Sequence, residues 1–164
     1  MIDFVRANRE LAAPIVFVLA FGESMAFISL VLPFWAMLVG IGTLVTLSGL
    51  DFWTVWLAAS VGAALGDWLS YWLGAHFQDR VRGWWPLSRY PALLPKGEAF
   101  FAKWGWMAVV AGRFSGPLRA TVPLAAGITR MPIATFQLAN FSSAFLWAAS
   151  LMIPGIYLAQ LMQK

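Results

Sequence analysis

The chain has no cysteine. Disulfides, thiolate metal sites, iron–sulfur clusters and cysteine nucleophiles are therefore excluded. Its one histidine is His76, so neither a zinc site, which takes about three or four protein ligands, nor a two-imidazole phosphotransfer couple can be built within one chain. No metal or other cofactor is implied. Charge is scarce as well: 11% of the 164 residues are Asp, Glu, Lys or Arg, against about 25% in soluble proteins. Residues 24–50 and 131–163 contain none of the four. Charge-free apolar runs longer than about 18 residues belong in hydrocarbon, which rules out a soluble domain. The net charge of +4 is a modest excess that suits orientation in a membrane or contact with anionic lipid. No motif for binding nucleic acid is present.

What is abundant is apolar surface: 61% of residues, with ten tryptophans and thirteen phenylalanines. The expected fold class is an all-α integral membrane protein, one domain over residues 1–164. Arg6 and Arg9 precede the first apolar run, but Asp3 and Glu10 dilute the positive region and no small-x-small site follows. The amino terminus therefore reads as retained rather than cleaved.

Residues 11–33 are apolar but broken at Gly22-Glu23-Ser24 and closed by Pro33. A re-entrant or broken helical hairpin fits them better than a straight span, which would carry a carboxylate into lipid. After an apolar stretch to about residue 49, Ser48 to Asp51 reads as a turn, with Asp51 capping the next helix. That helix, about 52–77, is long enough to cross a bilayer with tilt. Gly62, Gly66, Ser70 and Gly74 recur every four residues along it and form a small-residue stripe that lets another helix approach. Asp67 lies next to the stripe in sequence. Residues 79–103 hold five of the eleven basic residues and three prolines, and by the positive-inside tendency they face the cytoplasm. Within them KGEAFFAKWG begins a short amphipathic surface helix. A second broken hairpin is expected over about 104–130, where Gly112, Gly116, Pro117, Pro123 and Gly127 interrupt the helix around Arg113, Arg119 and Arg130. Helices over 132–163 complete the chain: one span from about Pro132 to Met152, then a short tail after Pro154-Gly155.

A shift of 90 residues lays Gly22-Glu23 on Gly112-Arg113 and Pro33 on Pro123. The two broken segments thus read as a pseudo-repeat of opposite charge, in the manner of half a LeuT-like transporter built from re-entrant units.

An ionisable group inside a membrane segment costs about 2.5 kcal/mol or more and faces protein or water. Glu23, Asp67, Arg113 and Arg119 answer that description, and two readings of them stand side by side. In one, Glu–Arg and Asp–Arg pairs simply hold helices together. In the other, Arg113 and Arg119, six residues apart around Gly116-Pro117, offer planar forks that grip a lipid phosphate, while Glu23 carries a proton or balances charge. Arg130 reads as a helix-end residue reaching the headgroups and His76 as interfacial. Asn140, Ser142 and Ser143 read as interhelical hydrogen-bond partners. No G-x-S-x-G elbow occurs and Ser115 has no plausible base beyond the distant His76, so an enzyme is not expected.

FGESMAFISLVLP, GAALGDWLSYWLG and AGRFSGPLRATVPLAAGITRMP, followed by an aromatic helix ending LMIPG, resemble in that order the DedA family of bacterial inner-membrane proteins, within the SNARE-associated/VTT domain superfamily. The resemblance covers about residues 11–158, and G-R-F-x-G-x-x-R-x-x-x-P-x-x-A-G is its most specific block. It implies two re-entrant hairpins meeting inside the bilayer and a role in moving polyprenyl phosphate or phospholipid across it, with proton coupling. It carries importance to Glu23, Arg113 and Arg119, and places Asp67 in the family-like G-D-W-x-x-Y stretch. Phe34-Trp35 stand where relatives carry glycine and often an acid, which removes a second carboxylate from that hairpin. Many relatives also continue past the position of Lys164 into a further helix, so a second copy of the chain is a candidate partner. The expectation is a lipid-phosphate translocase or scramblase, a flippase in the broad sense, acting on anionic phospholipid or undecaprenyl-type phosphate. A non-transporting membrane assembly or homeostasis factor is the alternative.

Overall fold

The computed structural model describes residues 9–25, 45, 49–77, 80, 88–89, 91–115 and 118–162. Every extended element among them is helical: α1 (Arg9–Ser24), α2 (Phe52–Phe77), α3 (Leu93–Trp104), α4 (Trp106–Arg113), α5 (Leu118–Ile128) and α6 (Ile133–Met162). Of these only α6, over Ile133–Leu161, is both long and apolar enough to cross a membrane by composition. The 26 residues of α2 have the length, but Asp67 and the glycine and serine stripe dilute their apolar character. The expected close of the first broken hairpin at residues 26–33, the stretch 34–44 and the expected break at Gly116-Pro117 all lie outside the described residues.

Local chemistry sets the ends of these helices. Asp51 caps α2: its Oδ2 accepts from the Thr54 amide at 2.7 Å and the Thr54 hydroxyl at 2.6 Å, filling a donor that the first helical turn leaves open. Those bonds hold the exposed Asp51 carboxyl below the usual carboxylate range. Between α3 and α4 the backbone turns at Gly105, whose φ of 55° and ψ of −130° suit glycine alone. Arg130 (φ 54°) closes α5, its amide donating to Gly127 O at 3.0 Å. The chain continues helically through Pro154 in α6, where the sequence suggested a break. A membrane helix can lose the one donor that proline lacks when its surroundings re-satisfy the freed carbonyl, and α6 is packed on both sides of Pro154 through Met152 and Ala159.

The central element is α2, which contacts α1, α5 and α6. Its small-residue stripe serves two neighbours. A Cβ at Gly62 or Gly66 would collide with the backbone carbonyls of Phe17 or Phe21 in α1, and one at Gly74 with that of Leu124 in α5. Reciprocally, a Cβ at Gly127 of α5 would strike Tyr71 O on α2. Such close backbone approach maximises dispersion where lipid offers no hydrophobic drive between helices.

Two apolar cores result. The first joins Val16 and Ala20 of α1, Val55, Ala59 and Ala63 of α2, and Ala144, Trp147, Ala148 and Met152 of α6. The second joins Tyr71 of α2, Ala108 and Val109 of α4, Val122 and Ala126 of α5, and Phe136 and Ala139 of α6. Along α2 the sequence passes from first core to second at Asp67, and along α6 it passes from second to first at Asn140 and Ser143. The polar residues occupy the seam.

Candidate functional site

That seam collects all four ionisable residues expected inside the membrane. Glu23 arrives on the last turn of α1, Asp67 on the middle of α2, Arg113 at the end of α4 and Arg119 at the start of α5. All four are buried. They pair in a definite scheme: Arg113 with Asp67 and Arg119 with Glu23 at 2.5 Å. The four act on one another electrostatically, so they form one cluster of two anions and two cations, formally neutral. Glu23 and Arg113, the positions that the 90-residue shift superimposes, are not direct partners.

Neutral groups complete the shell. Arg113 Nε donates to Ser143 Oγ at 3.0 Å, and its Nη2 to Asn140 Oδ1 at 2.6 Å as well as to Asp67 Oδ2. Asn140 Nδ2 donates to Ala64 O on α2 at 2.8 Å, so Asn140 and Ser143 act as partners between helices. Ser142 instead bonds within its own helix, to Leu138 O at 2.6 Å, because its side of α6 faces outward. On the other pair, Arg119 Nη2 donates to Ser24 Oγ at 2.8 Å, and the guanidinium carbon lies 4.2 Å from the Trp147 ring centroid, in cation–π range.

Each charged group also keeps one buried polar atom with no hydrogen-bond partner among the described residues: Glu23 Oε2, Asp67 Oδ1, Arg113 Nη1 and Arg119 Nε. Buried polar atoms are normally satisfied. Four such atoms in one cluster, two donors and two acceptors, give it capacity for both an anion and a proton.

Two contributors, Ser24 and Trp147, escape a reading of charge alone. A signal for the second exists: Asn140, Ser143 and Trp147 recur at i, i+3 and i+7 and therefore share one face of α6. Outside the cluster, His76 sits exposed near the end of α2, with its ring 4.3 Å from that of Trp72 and Nδ1 facing Trp72 O at 3.1 Å. Ser115 donates to Ala111 O at 2.7 Å. Phe34-Trp35 lie outside the described residues; Asp67 is the second carboxylate that the cluster does contain.

The family model for the VTT domain matches residues 32–157. Among curated proteins, the chain is similar to inner membrane protein YabI of Escherichia coli K12, with 35% identity over 93% of this chain and 60% of that protein. It is also similar to YghB of the same strain, with 34% identity over 72% of this chain and 54% of that protein, and to YqjA, with 32% identity over 89% and 67%. The chain thus spans about 60% of the length of YabI. No solved structure matches. A charged seam inside an apolar helical body, a VTT-domain match over most of the chain and relatives named as inner membrane proteins agree: the chain is a bacterial inner-membrane protein of the DedA family, within the VTT-domain proteins.

Proposed function

We propose that the protein moves phosphate-bearing lipid, a phospholipid or polyprenyl phosphate, across the inner membrane, with the buried arginines receiving the phosphate. The observation that carries this reading is the cluster of two guanidiniums and two carboxylates with an unpartnered polar atom on each member. A purely structural ion pair gains most when every donor and acceptor is used. The charge balance supports proton coupling. The cluster is formally neutral, and an added phosphate brings at least one negative charge into a medium where unbalanced charge is costly. Uptake of one proton by Glu23 or Asp67 restores the balance, so anion and proton enter together.

The architecture that accompanies this function is a pseudo-repeat of two broken helical units, half of a LeuT-like transporter, one supplying Glu23 and the other both arginines. Residues 79–103 face the cytoplasm in this arrangement, since Arg80, Arg82, Arg89, Lys96 and Lys103 outnumber Asp79 and Glu98 there. The ligands are membrane lipids and protons, and a second copy of the chain is the candidate protein partner.

The test is reconstitution into vesicles of phosphatidylethanolamine and phosphatidylglycerol with fluorescent phosphatidylglycerol or polyprenyl phosphate in one leaflet. Asymmetry decays faster than in protein-free vesicles, and faster still with a pH gradient. Decay equal to that of empty vesicles for both lipids overturns the proposal. One observation favours a second reading, a non-transporting assembly factor: each guanidinium already holds a carboxylate. In that case Glu23→Gln combined with Arg119→Gln restores the membrane abundance and cellular function that either single change loses.

A further inference from the structure

The two ion pairs are alike in composition and unlike in housing. Arg113 uses both nitrogens of its side-on fork: Nε on Ser143 Oγ, Nη2 on Asp67 and Asn140. These partners are themselves tied down, Asn140 to Ala64 O on α2 and Ser143 to Asn140 O at 3.0 Å. The Arg113 side chain is 1% exposed, and its unpartnered Nη1 is a single donor at the far side of the group. To free the fork, a carboxylate, an amide and a hydroxyl must all leave.

Arg119 is arranged the other way. Its carboxylate partner, Glu23, sits on Nη1, the nitrogen outside the side-on fork. Within the fork, Nε has no partner among the described residues and Nη2 holds only the Ser24 hydroxyl. The side chain is 10% exposed, and its guanidinium carbon lies over the Trp147 ring at 4.2 Å from the centroid, a cation–π contact that restrains how the fork turns. Among the described residues, one neutral hydroxyl is the only hydrogen-bond partner to be displaced before two parallel N–H donors meet a phosphoryl group, the geometry such a group prefers.

Resting on the phosphate-transfer reading above, we infer that the arginines have different jobs. The Nε–Nη2 edge of Arg119, restrained by Trp147 and bonded among the described residues to Ser24 alone, receives the lipid phosphoryl group. Arg113 is a fixed tie between α4, α2 and α6. Glu23 stays on Nη1 as the phosphate arrives, and Trp147 is a positioning residue that acts through Arg119.

Arginine Nε–H resonances of the full ¹⁵N-labelled chain in maltoside micelles test this, each assigned by its loss in Arg119→Lys or Arg113→Lys. Dodecyl phosphate shifts the Arg119 resonance and leaves that of Arg113 in place; dodecanol shifts neither. A shift with dodecyl phosphate but not inorganic phosphate identifies a lipid head group, and an equal shift with inorganic phosphate identifies the free anion at the same edge. In vesicles, Arg119→Lys slows lipid transfer about tenfold or more, the loss expected when a fork becomes a point charge. Ser24→Ala lowers the dodecyl phosphate concentration needed for half the Arg119 shift, because no hydroxyl then has to leave Nη2. Trp147→Leu raises the dodecyl phosphate concentration needed for half the shift, and Trp147→Phe restores part of it. Should Arg113→Lys fail to fold, the Ser24→Ala and wild-type arms still decide. A shift confined to Arg113, an unmoved Arg119 at saturating dodecyl phosphate, or a raised half-shift concentration in folded Ser24→Ala overturns the assignment. Transfer with an unmoved Arg119 overturns this assignment alone, and a shifted Arg119 without lipid transfer overturns the translocation reading alone.

Discussion

The two apolar cores on either side of the charged seam are built by different means. The first is made mainly of alanine and valine, and its close contact comes from glycines of α2 lying against the backbone of α1. The second has an aromatic centre, with Tyr71 and Phe136 stacked at 4.4 Å between centroids and the Tyr71 hydroxyl donating to Met131 O at 2.5 Å. Backbone spacing is controlled in both, since Gly74 and Gly127 bring α2 and α5 equally close beside the second; what the second core adds is side-chain volume at its aromatic centre. The difference bears on the site because α1 and α5, the helices positioned by spacing, deliver Glu23, Ser24 and Arg119. Stability and site geometry are thus separable, and substitutions in the two cores should separate them.

The largest expected effect is from Phe136→Ala in the second core. Phe136 is fully buried, and its loss leaves a cavity worth on the order of 3–5 kcal/mol. Reversible unfolding in mixed micelles measures the fall, while lipid transfer per folded molecule stays near the parent value. Loss of transfer in the folded fraction would break the separation.

Gly66→Ala comes next, at about 1–3 kcal/mol by overpacking. Its new methyl group presses on Phe21 O and the Ser24 Cβ, so α1 must back away with Glu23. Gly74→Ala should destabilise by a similar amount through Leu124 without touching α1. Transfer assays on the two variants at matched folded abundance should show both impaired, the first by moving Glu23 and Ser24 with α1 and the second by moving Arg119 with α5.

Tyr71→Phe is smaller, about 1 kcal/mol for one hydrogen bond, with transfer unchanged. Smallest is Gly22→Ala. Nothing lies within 4 Å of a Cβ there, and the gain in helix propensity is under about 1 kcal/mol. A clear loss of stability in Gly22→Ala would mean that α1 is not positioned by Gly62 and Gly66 alone.

Much of this was readable from residues. Glu23, Asp67, Arg113 and Arg119 stand out because each is costly in an otherwise apolar run, and the stripe at Gly62, Gly66, Ser70 and Gly74 because its spacing matches the helix period. The partner scheme was not. Whether Glu23 meets Arg113 or Arg119 depends on how α4 docks on α6 and α5 on α2, and two arginines six residues apart are equivalent until that docking is fixed. Ser24 and Trp147 were hidden for another reason: beside a carboxylate, or in a helix rich in aromatics, neither type is unusual. Pro154 misled because a missing amide donor and a steric bend do not end a helix that packing on either side, here through Met152 and Ala159, holds in place.

The separation in sequence between partners sets an order of events during synthesis. Asp67 precedes Arg113 by 46 residues and Glu23 precedes Arg119 by 96. At about 5–20 residues per second, Glu23 leaves the ribosome some 5–20 seconds ahead of its cation. From the emergence of Asp67 to that of Arg113, 46 residues and so about half of that interval, the nascent chain holds both acids of the seam and neither arginine. Its integration into the bilayer stays provisional until α4 and α5 follow, which makes the insertion machinery a temporary host for two unpaired carboxylates.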